Sequence, residues 1–185
     1  MKKVWIVFAG LLIAGGAMAQ TKPFNASITP DYSVYGRDVM IEGLTLSIWG
    51  ENPQTSLAIG FVNGSTGQSA GLSLGLLNYA ESYKGLQWGF VNYTTGDVSG
   101  WQGGFGFGIL VSALNYTGGD MRGLQTGVVN YAGKLTGLQI GILNYAETAK
   151  SGVQIGLVNI MPENAWFTNL PDELAPGMIL VNWRF

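Results

Sequence analysis

The chain has 185 residues, of which 47% are hydrophobic, 11% are charged and 29 are glycine. A typical soluble domain has about 25% charged residues and about 7% glycine, so this chain has under half that charge and about twice that glycine. Its hydrophobicity excludes a disordered chain. The absence of cysteine and histidine excludes disulfides, thiol catalysis, imidazole bases and the usual zinc sites. A net charge of −2 gives no indication of the basic surface that nucleic-acid-binding proteins usually have.

Residues 1–19 have the pattern of a secretory signal peptide. Lys2 and Lys3 give a basic start, an uncharged apolar run follows, and Ala17-Met18-Ala19 has the small-x-small form of a cleavage site. A membrane anchor is the alternative, but the apolar run is shorter than the ~20 residues that span a bilayer. We therefore predict export, with cleavage before Gln20. The mature chain then has 7 basic residues against 11 acidic ones, because two of the 9 basic residues are removed, and its net charge is −4.

The mature chain divides into a short lead-in and one repeat domain. Segment 20–40 contains Pro23 and Pro30 and is predicted to be irregular, as a flexible lead-in or a short plug. Residues 41–185 are predicted to form a single β-repeat domain that ends in a terminal strand, 178–185.

Asparagine recurs in one sequence context along the domain. Its steps are 15, 14, 23, 15, 14 and 15 residues, and the positions are Asn63, Asn78, Asn92, Asn115, Asn130, Asn144 and Asn159. Each asparagine ends a unit that reads, at its clearest, G-L-Q-x-G-x-x-N-Y. A fixed period of this kind indicates a repeat architecture.

Within a unit the apolar residues alternate with period two, which is typical of a β-strand. A helix would place two glycines in its interior in every copy, at a cost of about 1 kcal/mol each relative to alanine. We predict one strand of about nine residues and one turn of five or six residues in each unit. For the copy at 137–145, the alternation predicts two faces, made of Leu138, Ile140, Ile142 and Asn144, and of Gln139, Gly141, Leu143 and Tyr145.

Charge is confined to the predicted turns between Gly43 and Ile160. The charged residues there are Glu51, Glu81, Lys84, Asp97, Asp120, Arg122, Lys134, Glu147 and Lys150. A soluble antiparallel sheet usually carries charge on its wet face. We therefore expect both faces to be shielded from bulk water, or one face to contact lipid.

The last strand, Met178–Phe185, resembles the terminal strand of outer-membrane β-barrels, which the barrel-assembly machinery recognises by a final Phe and alternating apolar residues. A tilted strand of about nine residues spans roughly 23 Å, close to the ~25 Å apolar band of such barrels. The resulting prediction is an all-β antiparallel meander closed as a small outer-membrane-type barrel, with outer-membrane lipid on its Leu/Ile face. Closure would leave no open sheet edge in lipid. The predicted location is the outer membrane or the cell surface of a Gram-negative bacterium.

The likeness of neighbouring units favours a different architecture. An up-and-down barrel has no need of identical neighbours, whereas parallel stacking does. A parallel β-solenoid with one 14–15-residue repeat per coil would align the Gln and Asn side chains into ladders. Such a solenoid would act as a secreted adhesin or a fibre-forming subunit, and it stays open as the alternative.

The repeats, the opening Val34-Tyr35-Gly36 and the ending Val181–Phe185 resemble a family of bacterial surface-repeat proteins over roughly residues 34–185. That resemblance implies an exported, surface-associated protein and no catalytic residues. The Q-x-G-x-x-N core, as in Gln139–Asn144, has a weaker similarity to curli-type subunits, whose repeats are longer and more polar.

Candidate chemistry is sparse, and no catalytic, cofactor-binding or metal-ligating residue is predicted. Asp172-Glu173 is a carboxylate pair that is expected to be a solvated turn. Asp97 and Asp120 flank the 23-residue step and are expected to be turn residues beside glycines. The role predicted for this chain is therefore non-enzymatic, structural or interaction-based.

Four further features are candidates for chemistry or binding. Gly103–Gly108 contains a G-x-G pattern, but it does not open a helix and fits a tight strand or bulge better than a phosphate loop. The repeated Gln residues could bind carbohydrate together with Trp88 and Trp101, but structural ladders or interior packing explain them better. The insertion at 101–116 is the best candidate for a specific ligand surface, because insertions in repeat arrays often map to the binding face. Arg184 could face an interior or lie at a rim.

Overall fold

A computed structural model describes residues 21–104 and 112–185 of the chain, so the predicted signal peptide and the middle of the 101–116 insertion lie outside the described residues. The strands are β1 (Thr21–Thr29), β2 (Tyr32–Ser33), β3 (Met40–Asn52), β4 (Gln54–Thr94), β5 (Val98–Gly103), β6 (Ser112–Ile160) and β7 (Gly177–Arg184). The prediction of an all-β protein is confirmed. No helix in the described part of the chain is long and apolar enough to cross a membrane.

The strands form one mixed sheet in the order β2-β1-β3-β4-β5-β6-β7, with an additional β4–β6 pairing, and the sheet is not closed. Pairing is parallel between β1 and β3 and throughout the repeats from β3 to β6. Antiparallel pairing joins only β1 to β2 and β6 to β7 among the named strands. The repeats therefore pair in the direction opposite to that expected of a meander.

The register places equivalent residues of successive repeats side by side. Leu44 pairs with Leu57, and Gly85 pairs with Gly100, which in turn pairs with Gly123. The same holds across the 23-residue step, where Asn92 pairs directly with Asn115. The register is therefore the same on both sides of the longer step.

Extended backbone continues through the segments that the sequence predicted as turns. β4 has 41 residues and β6 has 49, so each runs through several repeats, including 80–84, 132–134 and 146–150. In a parallel stack these segments also have a neighbour to pair with. Tyr83 pairs with Val98, for example, and the amide of Tyr83 donates to the carbonyl of Asp97 at 2.9 Å.

The segment predicted to be irregular, 20–40, contains the first layer of the sheet. β1 pairs in parallel with β3, beginning at Thr21 and Met40, and β2 folds back on the end of β1. Two prolines suggested irregular structure. Pro23 lies in β1, at an outer position of the sheet, and Pro30 lies directly after β1. A missing amide donor is tolerated at both positions.

The interior of the described chain is mostly polar. Buried polar or charged residues number 27, against 13 buried apolar ones. Among residues 21–104 and 112–185, a cluster of buried apolar side chains is made mostly of small or flexible residues, including Ala132, Leu135, Ala146 and Met121. The usual distribution of polar and apolar residues is reversed, and this sets the character of the outer surface.

Candidate interaction surface

A continuous ladder of asparagine side chains runs through the interior. Each Nδ2 donates to the Oδ1 of the asparagine in the next repeat, over six bonds of 2.8–3.0 Å from Asn63 to Asn159. The same Nδ2 of Asn144 also donates to the carbonyl of Ile155 at 3.0 Å. From Asn78 to Asn159 these side chains are 0% exposed, so every bond lies away from water.

A second ladder is made by the repeated glutamines. Nε2 of each donates to Oε1 of the preceding one at 2.7–2.9 Å, along Gln87, Gln102, Gln125, Gln139 and Gln154. The glutamine ladder thus points toward the N-terminus and the asparagine ladder toward the C-terminus, so their amide dipoles oppose each other. The ladders predicted for a parallel stack are present, and the glutamines are too deeply buried to contact an external carbohydrate.

The ladders correct the predicted faces of the repeat. The alternation predicts Asn144 on the face of Ile140 and Ile142, yet Asn144 is fully buried, as Gln139 is, while Tyr145 is partly exposed. The alternation changes phase between Gly141 and Asn144, which indicates a corner of the coil. The side chain of Gln139 crosses the interior to the carbonyl of Tyr145 at 3.2 Å, so the chain has folded back by that point.

The side chains outside the ladders form a broad apolar surface. In the described residues, the positions directly before and after Gln (or before and after Thr45, Ala58 or Ser73, which take its place in the early repeats) and the position two further on lie on the side away from the ladders, as do Leu138, Ile140 and Ile142. We call the three columns formed by these positions the apolar face. It contains large exposed side chains over most of the length of the sheet, among them Phe61 and Leu157 at 61% exposed and Ile142 at 52%.

The apolar face has ridges and a groove. Leu46, Ile59 and Leu74 form one ridge and Phe61 and Leu76 form another, with a groove of about 520 Å³ between them. No position of the three columns in the described residues carries a charged side chain. The apolar face is therefore a surface of mostly aliphatic and aromatic side chains, interrupted in the middle column at Gly103 and Thr126.

A column of tyrosines lies next to the apolar face, one residue after five of the seven ladder asparagines, from Asn78 to Asn144. The rings of Tyr93, Tyr116, Tyr131 and Tyr145 are stacked with centroids 4.7–5.5 Å apart and planes within 12° of parallel. The hydroxyl of Tyr131 donates to the carboxylate of Glu147, and this hydrogen bond raises the pKa of Tyr131 to about 12. These four tyrosines therefore form a continuous aromatic ridge.

The charged side chains of the repeats lie outside the apolar face, on the remaining part of each coil. Asp97 and Asp120, which were expected to be turn residues beside glycines, are neighbours in successive coils: Oδ1 of Asp97 accepts the amide of Asp120 at 2.9 Å. Asp120 also pairs with Arg122 at 2.7 Å and lies 4.0 Å from Lys134. These carboxylates thus stabilise the contact between successive coils on the side that the sequence predicted as turns.

The described part of the insertion at 101–116 is built around an indole. Nε1 of Trp101 donates to Oγ1 of Thr126 at 2.9 Å, and its ring meets that of Trp88 edge-on at 5.0 Å. Gly103 leaves space for this arrangement, since an added Cβ would lie 2.7 Å from the indole nitrogen. Residues 105–111, which include most of Gly103–Gly108, lie outside the described residues.

The C-terminal end is closed by a cap that the sequence did not predict. Glu173, expected in a solvated turn, is 6% exposed. Its carboxylate accepts the amide of Ala165 at 2.9 Å and Nδ2 of Asn169 at 2.8 Å, and it pairs with Arg184 at 3.1 Å. These contacts hold loop 161–176 against the outer edge of β7, where Phe185 donates its amide to the carbonyl of Asp172 at 2.8 Å.

The terminal strand shows most of the predicted alternation. Ile179, Val181 and Phe185 are exposed, while Asn182 is fully buried. Leu180 departs from the pattern, since its φ of 68° at a register shift turns it outward as well. The apolar residues at alternate positions therefore extend the apolar face to the last strand.

The cap should respond to acid through Glu173. Hydrogen bonds from Ala165 and Asn169, together with the charge of Arg184, lower the pKa of Glu173 below its usual 4.5. A lowered carboxyl pKa adds stability that is present above the unfolded-state pKa and is lost as pH falls through the folded-state pKa. We expect the amides of Leu174 and Phe185 to lose protection from hydrogen exchange as pH falls below about 4.5 in the native chain. In Glu173→Gln their protection should be weaker at neutral pH and should lack this acid step; an identical acid step in the variant would contradict the assignment.

No group of three or more acidic side chains in residues 21–104 and 112–185 is placed to hold a metal ion. No family model, curated protein or solved structure matches the chain. The apolar face and the ladders beneath it are thus the features from which a function can be argued.

Proposed function

We propose that this chain is an exported, non-enzymatic repeat protein of the outer membrane or cell surface, built as a parallel β-solenoid whose apolar face is its interaction surface. The leader pattern at 1–19 and the resemblance to surface-repeat proteins support the location. Parallel pairing in repeat register supports the solenoid over the barrel.

The reversed polarity of the molecule carries this proposal. Amide ladders fill the interior, while Phe61, Ile142 and Leu157 are more than half exposed. Exposed contiguous apolar patches larger than a few hundred Å² mark interaction sites in soluble and membrane-associated proteins. The regular repetition of such residues over successive coils is therefore explained if the apolar face is covered in the working state.

The two ends of the sheet disfavour the fibre-forming alternative. A fibre would grow by adding strands to the terminal edges of the solenoid. At the C-terminal edge, loop 161–176 pairs with β7 through Leu174 and Phe185. At the other edge, β2 turns back antiparallel on β1. Capping of this kind is what keeps natural repeat arrays from associating end to end.

The architecture can be tested by disulfide formation, because the native chain has no cysteine. Equivalent residues of adjacent parallel strands are about 5 Å apart, which is within disulfide range. We expect the double variant Leu138→Cys/Val153→Cys to form an intramolecular disulfide under mild oxidation. The control Leu124→Cys/Val153→Cys spans two coils, about 10 Å, and should not. Failure of the first pair, with the chain folded, would favour a meander.

The interaction surface can be tested by labelling on cells that export the full chain. Ile142→Cys places a thiol on the apolar face, and Lys150→Cys places one on the exposed turn side of the same coil. A water-soluble maleimide should label Lys150→Cys readily and Ile142→Cys at least tenfold more slowly. Denaturation should make the two equal. Equal labelling of the native proteins would show that the apolar face is open to water and would refute the proposal.

A further inference from the structure

We propose that the partner of the apolar face is a second copy of this chain, packed face to face in a two-fold symmetric dimer. The inference rests on the function proposed above and adds the identity of the occupant. Three properties of the surface lead to it: its shape, its area and the charge around it.

The shape of the apolar face is that of one half of a sheet-on-sheet packing. Parallel in-register strands repeat similar side chains at equal intervals, and such surfaces interdigitate with an identical one to form a dry interface. The ridge of Leu46 and Ile59, the ridge of Phe61 and the groove between them supply both the protruding and the receiving element. A surface that carries both is self-complementary, as an isologous contact requires.

The area of the apolar face matches that of a stable dimer. About ten layers at ~4.8 Å give a length of roughly 45 Å, and the five residues that the three columns span, at ~3.3 Å each, give a width of about 16 Å. Each copy would then bury about 700 Å², or about 1,400 Å² in total, which lies in the range of specific interfaces.

Charge favours a second copy over an anionic membrane surface. Proteins that lie on membranes by an apolar face usually surround it with Lys and Arg. Here the mature chain has a net charge of −4, and acidic residues such as Asp120 and Glu147 accompany the basic ones along the coils. Two copies joined face to face would keep these charges away from the contact, in water.

Cross-linking of single-cysteine variants tests the dimer directly. If the long axes of the two copies run parallel, a residue of the middle column, such as Ile140, lies opposite the same residue of the other copy. If the long axes run antiparallel, a residue near the middle of the sheet's length, such as Phe90, does so. Sheets pack about 10 Å apart, which suits a short bis-maleimide. We expect Ile140→Cys or Phe90→Cys to give covalent dimers of the purified mature chain, and the turn-side control Glu81→Cys to give none.

Sedimentation of the purified mature chain in detergent-free buffer supplies the second measurement. It should be a dimer, and Ile142→Thr and Leu157→Thr should each weaken dimerisation at least tenfold, because each substitution removes one buried aliphatic side chain from both copies. The matched turn-side variants Glu147→Thr and Lys150→Thr should leave the dimer unchanged. The β-branched threonine keeps the strand preference in all four.

The outcomes separate this proposal from the one before it. A monomer that floats with phosphatidylcholine vesicles would overturn the second copy as occupant and assign the apolar face to lipid. A monomer without vesicle binding, or aggregates that form equally in the apolar-face and turn-side variants, would overturn it as well. In each case, slow maleimide labelling of Ile142→Cys on cells would still support the apolar face as an interaction surface. Rapid labelling of that variant would refute both the interaction surface and the dimer.

Discussion

Replacing Asn144 by aspartate is expected to destabilise the mature chain by about 3–5 kcal/mol at pH 7, although the two side chains have nearly the same shape. Nδ2 of Asn144 donates to Oδ1 of Asn159 and to the carbonyl of Ile155, and its Oδ1 accepts from Asn130. A carboxylate can only accept, so two buried oxygens would lose their donor and face a negative charge. Urea unfolding followed by tryptophan fluorescence measures the loss.

A second readout separates the loss of the ladder from a general effect of acidity. Burial without a positive partner raises the pKa of a carboxyl group, so the variant should regain part of its stability as pH falls and the new carboxyl group is protonated. The control Gln68→Glu makes the same change from amide to acid at an exposed position and should alter stability by less than about 0.5 kcal/mol. A loss below about 1 kcal/mol for Asn144→Asp would mean that the ladder is not a buried continuous chain of hydrogen bonds.

The ladders also show how far the sequence alone could lead. The 14–15-residue period predicted the repeat, the absence of helix and, for a parallel stack, the alignment of Gln and Asn. Residues of equal spacing must meet in register when identical units stack, so this step needs no knowledge of side-chain orientation. The direction of pairing could not be read in the same way, because period-two alternation is the same in parallel and antiparallel strands.

The assignment of faces failed at a corner. Counting by twos from Leu138 puts Asn144 on the outside, because the count assumes a straight strand. The coil bends between Gly141 and Asn144, and one bend is enough to exchange inside and outside for every residue after it. No single residue type in the repeat marks that bend unambiguously, so the exposed Leu/Ile columns and the buried amides could not both be derived from the alternation.

The cap was missed for a different reason. Glu173 lies in a stretch with prolines on both sides, and adjacent acidic residues in such a stretch are usually solvated. Its partners Ala165, Asn169 and Arg184 are 8, 4 and 11 residues away. They meet only because loop 161–176 covers the last strand, and this closure depends on tertiary packing that local patterns do not encode.

Glycine at the first position of the repeat supplies the second large effect that we expect. Gly137 has a φ of 139°, and an added Cβ would collide with the backbone carbonyl oxygen of Gly123 in the coil below. A side chain at this position would be strained and would push two coils apart, so Gly137→Ala should destabilise the chain by about 3 kcal/mol. The midpoint of urea unfolding should fall accordingly.

Gly152 occupies the same position in the next repeat and offers a matched control. Its φ is not left-handed, and the nearest atoms to an added Cβ would be side-chain atoms of Leu135, at 2.9 Å. Because a leucine side chain can shift where a backbone carbonyl cannot, Gly152→Ala should cost about 1 kcal/mol. Gly177→Ala, with no described atom within 4 Å of the added methyl group, should cost the least of the three. Equal losses of stability at Gly137 and Gly152 would contradict this explanation. The expected difference would show that the close approach of stacked coils is what requires glycine at Gly137.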